Sequence, residues 1–166
     1  MAPGRSGLGL GYLLYLVCIA LWVLAIFLAP LLARSPALGP AAGLIYGICS
    51  GVCHQNPDRS FHLWGQPMAV CARCTFIYLG VLLSSSAFPI LRLTRPPRIR
   101  YLFAAATPLV LDAGTQLLGL RESTNTIRAA TGLIFGLVLA LYVAPEAEET
   151  FSQLANRTKR LLAAHC

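Results

Sequence analysis

Charge is what this sequence has least of. Asp, Glu, Lys and Arg make up 11% of its 166 residues, and only 6 of those residues are acidic. An ordinary soluble domain carries about 25% charged residues, so the composition argues against a water-facing globular protein of the usual kind. Apolar residues reach 57%, the pattern of a chain embedded in lipid. The formal charge of +7 is therefore weak ground for nucleic acid as a partner, and none is expected. It is better read through where the arginines fall relative to a membrane.

Several long stretches have no charge at all. Residues 6–33 contain none, and a helix of that length, at about 1.5 Å per residue, spans hydrocarbon of ~30 Å. A secretory signal has an apolar core of only ~7–15 residues and a small-residue cleavage site, which is lacking here, so an uncleaved helix is expected. Residues 75–91, 101–120 (broken only by Asp112) and 129–144 are also apolar. Residues 35–52 are uncharged but rich in Gly and Pro, which suits a short fifth span, a re-entrant segment or a packed helix outside the membrane. The expected fold is all-α: a bundle of four transmembrane helices, five if 35–52 also crosses.

The basic residues orient that bundle. Arg92, Arg95, Arg98 and Arg100 crowd one loop, Arg157, Lys159 and Arg160 lie in the tail, and Arg5 is near the start. Four spans put all of these on one side, which the positive-inside rule makes cytoplasmic. Both termini are then cytoplasmic and the segment 35–74 is extracytoplasmic. The expected division is a membrane domain over 1–144 and a cytoplasmic tail helix over 145–166, with a break at Pro145. Phe151, Leu154, Thr158, Leu161 and Leu162 share one face of that tail at helical spacing, so it is amphipathic. Membrane lipid is the expected partner.

Against this apolar background one polar stretch stands out. Residues 53–74 hold three of the six cysteines and two of the three histidines. Cys71-x-x-Cys74 can grip one metal ion or exchange with a disulfide. Cys53 and His54 complete a Cys3His set, which zinc accepts. Adjacent ligands at 53 and 54 are geometrically awkward, with His62 and Cys49 as substitutes. Structural disulfides at Cys49–Cys53 and Cys71–Cys74 compete with this reading, because the loop is expected outside the cytoplasm.

A second set of polar residues falls in or beside the spans. Asp112 and Gln116 are four apart and share a helix face. A carboxyl at membrane depth costs ~2.5–3.5 kcal/mol on insertion scales and marks a functional position by default. Asn125 and Arg128 share a face at the start of the next helix, and Arg128 is expected to pair with Asp112. Arg121, nine residues beyond Asp112, would lie about 13 Å along a continuous helix, too far for contact. The topology brings Arg59, Arg73, Gln116, Arg121 and Asn125 to the same outer end as the cysteines. Several arginines around one pocket suit a phosphate, diphosphate or carboxylate.

The motifs Cys53-His54-Gln55, Arg59-Ser60-Phe61, Cys71-Ala72-Arg73-Cys74-Thr75, Asp112-Ala113-Gly114-Thr115-Gln116 and Arg121-Glu122-Ser123 through Gly132 resemble a family of small uncharacterised prokaryotic membrane proteins. Its signature is Cys-His, Arg-Ser-Phe, then Cys-x-Arg-Cys-Thr-Gly. This chain has Phe76 where the family has Gly. The resemblance implies a multi-pass membrane protein and supplies no activity.

Three functions fit these residues. In the first, Cys53, His54, Cys71 and Cys74 hold zinc beside an arginine pocket for an anionic small molecule or lipid-linked ligand. Arg59, Arg73, Gln116, Arg121 and Asn125 would bind the ligand, and Asp112 and Arg128 would be the candidate catalytic pair. The second is a quinone-linked thiol–disulfide oxidoreductase, and the third a small transporter subunit, which would have to oligomerise.

Overall fold

The fold is known from a computed structural model, which describes residues 9–91 and 97–163. Arg5, Arg92 and Arg95, invoked above for topology, lie outside the described residues, as does Cys166. Helix α1 covers Leu10–Leu32 and α2 Gly39–Ser50. A turn of 3-10 helix at Pro57–Arg59 leads to a hairpin of β1 (His62–Leu63) and β2 (Gln66–Pro67). Then follow α3 (Ala72–Leu91), α4 (Arg100–Leu117) and α5 (Asn125–Ala163).

The protein is mostly helical, and among the described residues two stretches are long and apolar enough to cross a membrane, Leu10–Leu32 and Asn125–Ala147. The apolar part of α3, Ala72–Ala87, is shorter. The 12 residues of α2 rise only about 18 Å, too little to span hydrocarbon alone. Leu10, Leu14, Val17, Leu21 and Leu24 all point outward from α1. In water they would make one large apolar patch; against acyl chains they are matched to their surroundings.

Backbone proximity decides how the bundle packs. A Cβ on Gly132 would run into the Arg73 carbonyl, one on Gly136 into that of Ile77, and one on Gly80 would lie 2.7 Å from the Leu133 carbonyl. As the chain advances from 73 to 77, its partner advances from 132 to 136, so α3 and α5 run parallel. Small residues four apart allow such close approach where no hydrophobic effect drives helices together. Helix α1 runs antiparallel to α3. The Tyr12 hydroxyl donates to the Ser85 carbonyl, Tyr15 shares a 2.9 Å hydrogen bond with the Ser85 hydroxyl, and Trp22 meets Tyr78 edge-on at 5.7 Å.

These pairings define two ends. At one end Tyr142 of α5 donates to the Arg98 carbonyl at 3.0 Å. At the other lie the C-terminus of α1, α2, the hairpin, and the starts of α3 and α5. A core of Ile26, Ala29, Cys49, Cys53, Met68, Ala69 and Val70 fills this second end. Gln55, with a left-handed backbone (φ 51°), donates to the carbonyls of Tyr46 at 2.7 Å and Ala69 at 2.8 Å. That side chain ties α2 to the bend between β2 and Cys71.

The sequence divided the C-terminal region at Pro145, but the helix passes through it and α5 runs unbroken for 39 residues. Most side chains of the tail, including its expected apolar face, lie outside the described residues.

Candidate metal centre and arginine cluster

Cys71 is the residue before α3, and its carbonyl accepts the first helical hydrogen bond from Thr75 N–H at 3.0 Å. Cys74 therefore sits in the first turn, and both sulfurs are at a helix N-terminus, where the dipole favours negative charge. Cys53 approaches from the turn after α2, and its sulfur accepts a 3.2 Å hydrogen bond from Cys71 N–H. The sulfurs of Cys53, Cys71 and Cys74 lie within 4.8 Å of one another, close enough to hold one metal ion. The Cys71 and Cys74 thiols, which hydrogen-bond to the Cys53 sulfur, hold that thiol far below its ordinary range, against the opposing effect of burial.

The other thiols stand apart. Among the described residues Cys18, Cys49, Cys53, Cys71 and Cys74 are free. Cys49 is buried in the same core as Cys53 but outside the sulfur group, and burial pushes its thiol up. His54, expected as the fourth ligand, is exposed and outside the sulfur group, and so is His62 on the hairpin. The reason at His54 is the predicted awkwardness of adjacent ligands: with Cys53 turned into the core, its neighbour points out.

Asp112 is 2% exposed, and its carboxylate is shared by two arginines. Arg73 of α3 donates to Oδ2, and Arg121 donates to Oδ1 at 2.7 Å. The expected partner was Arg128, and that expectation is corrected here. Arg128 instead donates to Asn125 Oδ1 at 2.8 Å. Arg121 reaches Asp112 because α4 does not continue. Gly119 adopts φ 68°, Gly119 N–H returns to the Gln116 carbonyl, and Leu120 N–H to that of Thr115. This Schellman ending folds the chain back over the last turn, and Arg121 Nε also meets the Thr115 hydroxyl at 3.2 Å.

The two clusters meet. Arg73 lies between Cys71 and Cys74 in sequence and joins Asp112 in space. The Asn125 amide donates to the Ser60 carbonyl at 3.2 Å, fastening the start of α5 to the loop that carries the cysteines. Arg128 is 5% exposed, has an Nε with no hydrogen-bond partner among the described residues, and lies within electrostatic range of Arg59, Arg73, Asp112 and Cys71. Arg59 is exposed and Gln116 half-buried, and neither makes a side-chain hydrogen bond among the described residues.

Residues 53–142, the stretch containing both clusters, match the family described as "Predicted membrane protein (DUF2085)". The chain belongs to this family. An uncharacterized protein of Methanocaldococcus jannaschii is 40% identical over 141 residues, 81% of this chain and 90% of its own length. One from Methanothermobacter thermautotrophicus is 38% identical over 91 residues, 53% of this chain and 80% of its own. No solved structure matches the chain. The matched stretch of the DUF2085 family begins at Cys53, the first of the three clustered thiols, and includes Asp112, Arg121 and Arg128. The sequence reading missed the Arg73–Asp112 pair and the stapling by Gln55. Both depend on which elements meet in space, and no local spacing encodes that.

Proposed function

We propose that this membrane protein holds a zinc ion on Cys53, Cys71 and Cys74 at the extracytoplasmic end of a four-span bundle and binds an anionic, lipid-linked or small-molecule ligand on the arginines beside it. The observation that carries the reading is the convergence of three sulfurs within 4.8 Å from two separate segments. Thiolate-rich sites select zinc over the hard oxygen-seeking cations. The site's loop is built on strands of two residues each, and a metal clamp would add the order that so little secondary structure cannot.

Arg128 supports the anion. A buried guanidinium whose only hydrogen-bond acceptor among the described residues is a neutral amide is short of negative charge, and Arg59, within electrostatic range, adds a second cation. Asp112 anchors Arg73 and Arg121 in this reading, since both of its oxygens are occupied. The orientation rests on Arg98 and Arg100 lying at the opposite end, the side that the positive-inside rule makes cytoplasmic.

Metal analysis of the purified full-length protein, paired with thiol titration under non-reducing conditions, tests the reading. Stoichiometric zinc with reduced but protected thiols is expected. A reducible disulfide without metal would replace this account with the thiol–disulfide oxidoreductase.

A further inference from the structure

A metal closed by four protein ligands is structural, whereas one with three keeps a position for water or a ligand. Here the geometry offers three. Among the described residues no fourth His, Cys, Asp or Glu brings a ligand atom into the sulfur group. Cys53 is buried while Cys71 and Cys74 are part-exposed, so the trio is walled off on the Cys53 side and accessible on the other.

Charge then says what belongs in the remaining position. A divalent ion on three thiolates carries one net negative charge. Arg73 and Arg121 are engaged by Asp112, which leaves Arg128 and Arg59 without a carboxylate partner among the described residues. Gly132, one turn beyond Arg128 on α5, packs against the carbonyl of Arg73 between Cys71 and Cys74, and Asn125, the hydrogen-bond partner of Arg128, donates to the Ser60 carbonyl next to Arg59, so the surplus positive charge is next to the sulfurs rather than elsewhere on the bundle. Four arginines set against the single Asp112 carboxylate and the one negative charge of the metal–thiolate group leave two positive charges, which an anion would offset. A guanidinium with a free Nε–H, as in Arg128, is made for an oxyanion. A carboxylate has two oxygens to share among a metal and two guanidiniums, whereas a phosphoryl group has at least three.

We infer that the sulfur trio and the Arg128–Arg59 pair form one site, in which an oxygen of a phosphoryl group takes the fourth position on the metal and its other oxygens face the two arginines. This rests on the metal reading above. It adds that the metal is open, that the anion binds to it, and that phosphoryl is the anion's class.

The test uses full-length protein in detergent, stripped of metal and loaded with cobalt(II), whose visible bands report its ligands. Titration with inorganic phosphate should shift those bands. Arg128→Gln should bind cobalt with unchanged stoichiometry but need about ten- to a hundredfold more phosphate for the same shift. Arg59→Gln, at an exposed position and so expected to fold, should weaken phosphate in the same direction. Dodecyl phosphate is the second probe. A shift at much lower concentration than with inorganic phosphate assigns the group to a lipid-linked molecule, and equal potency assigns it to free phosphate; either supports the site. Cobalt bound with unchanged bands at saturating phosphate would overturn the inference and leave the metal reading standing. Phosphate binding that depends on Arg128 but leaves the bands unmoved would do the same. Failure to bind cobalt at all would overturn both.

Discussion

Replacing Asp112 with Asn removes the charge shared by Arg73 and Arg121 and keeps the shape. The Arg73 side chain is 20% exposed and the Arg121 side chain 43%, so the two pairs are unequal. Breaking a buried pair by removing one partner typically costs about 3–5 kcal/mol, and the Arg73 side of the carboxylate is in that regime. The Arg121 pair is solvent-screened and adds no more than about 1 kcal/mol. For a chain of this size the loss corresponds to a melting point lower by about 6–20 °C. The assay is thermal unfolding of detergent-purified protein in a double-mutant cycle. Arg73→Gln in the Asp112→Asn background should recover much of the loss, because it removes the orphaned buried charge. Arg121→Gln and Arg128→Gln should each recover little, the first because its pair is solvent-screened and the second because Arg128 feels the carboxylate only at a distance. Recovery through Arg128→Gln alone would refute the ion-pair arrangement and restore the pairing read from the sequence.

Gly132→Ala and Gly136→Ala should each lower the melting point by driving a methyl group into the α3 backbone, whereas Gly114→Ala, with nothing within 4 Å of the added Cβ, should raise stability by up to about 1 kcal/mol through helix propensity. Thermal scans of the three variants decide it. Cys53→Ser, Cys71→Ser and Cys74→Ser should each lose metal, while Cys18→Ser and Cys49→Ser retain it, as read by elemental analysis. Bound metal should be released as pH falls, because protons compete for the thiolates; a chelator-competition series across pH tests the sign. Reporter fusions after Asp58 should read extracytoplasmic and those after Arg98 cytoplasmic.

How much was legible beforehand varied with the range of the interaction. The uncharged run over 6–33 announced α1, and Cys71-x-x-Cys74 announced a two-sulfur grip, because both signals are local. The collection of Cys53, the arginines and Asp112 at one end followed from counting spans, which is coarse but survives errors of a few residues. Partner choice did not follow. Arg121 is placed second to Arg128 as a partner for Asp112 on the assumption that α4 continues, and one left-handed residue, Gly119, reverses that. Arg73 was read as a free ligand-binding group because its neighbour on α4 is set by the glycine contact between α3 and α5. The hairpin at 62–67 escaped notice because Trp64, an uncommon residue at positive φ, occupies its turn. His54 looked like a ligand by proximity in sequence, and the inward turn of Cys53 removed it.

The central claim is a metal held by three thiolates with one position left over, and X-ray absorption at the zinc edge of the purified full-length protein tests it most directly. The account predicts three sulfur neighbours at about 2.3 Å and one oxygen at about 2.0–2.2 Å. Four protein ligands with a histidine nitrogen among them, or no bound metal, would contradict it.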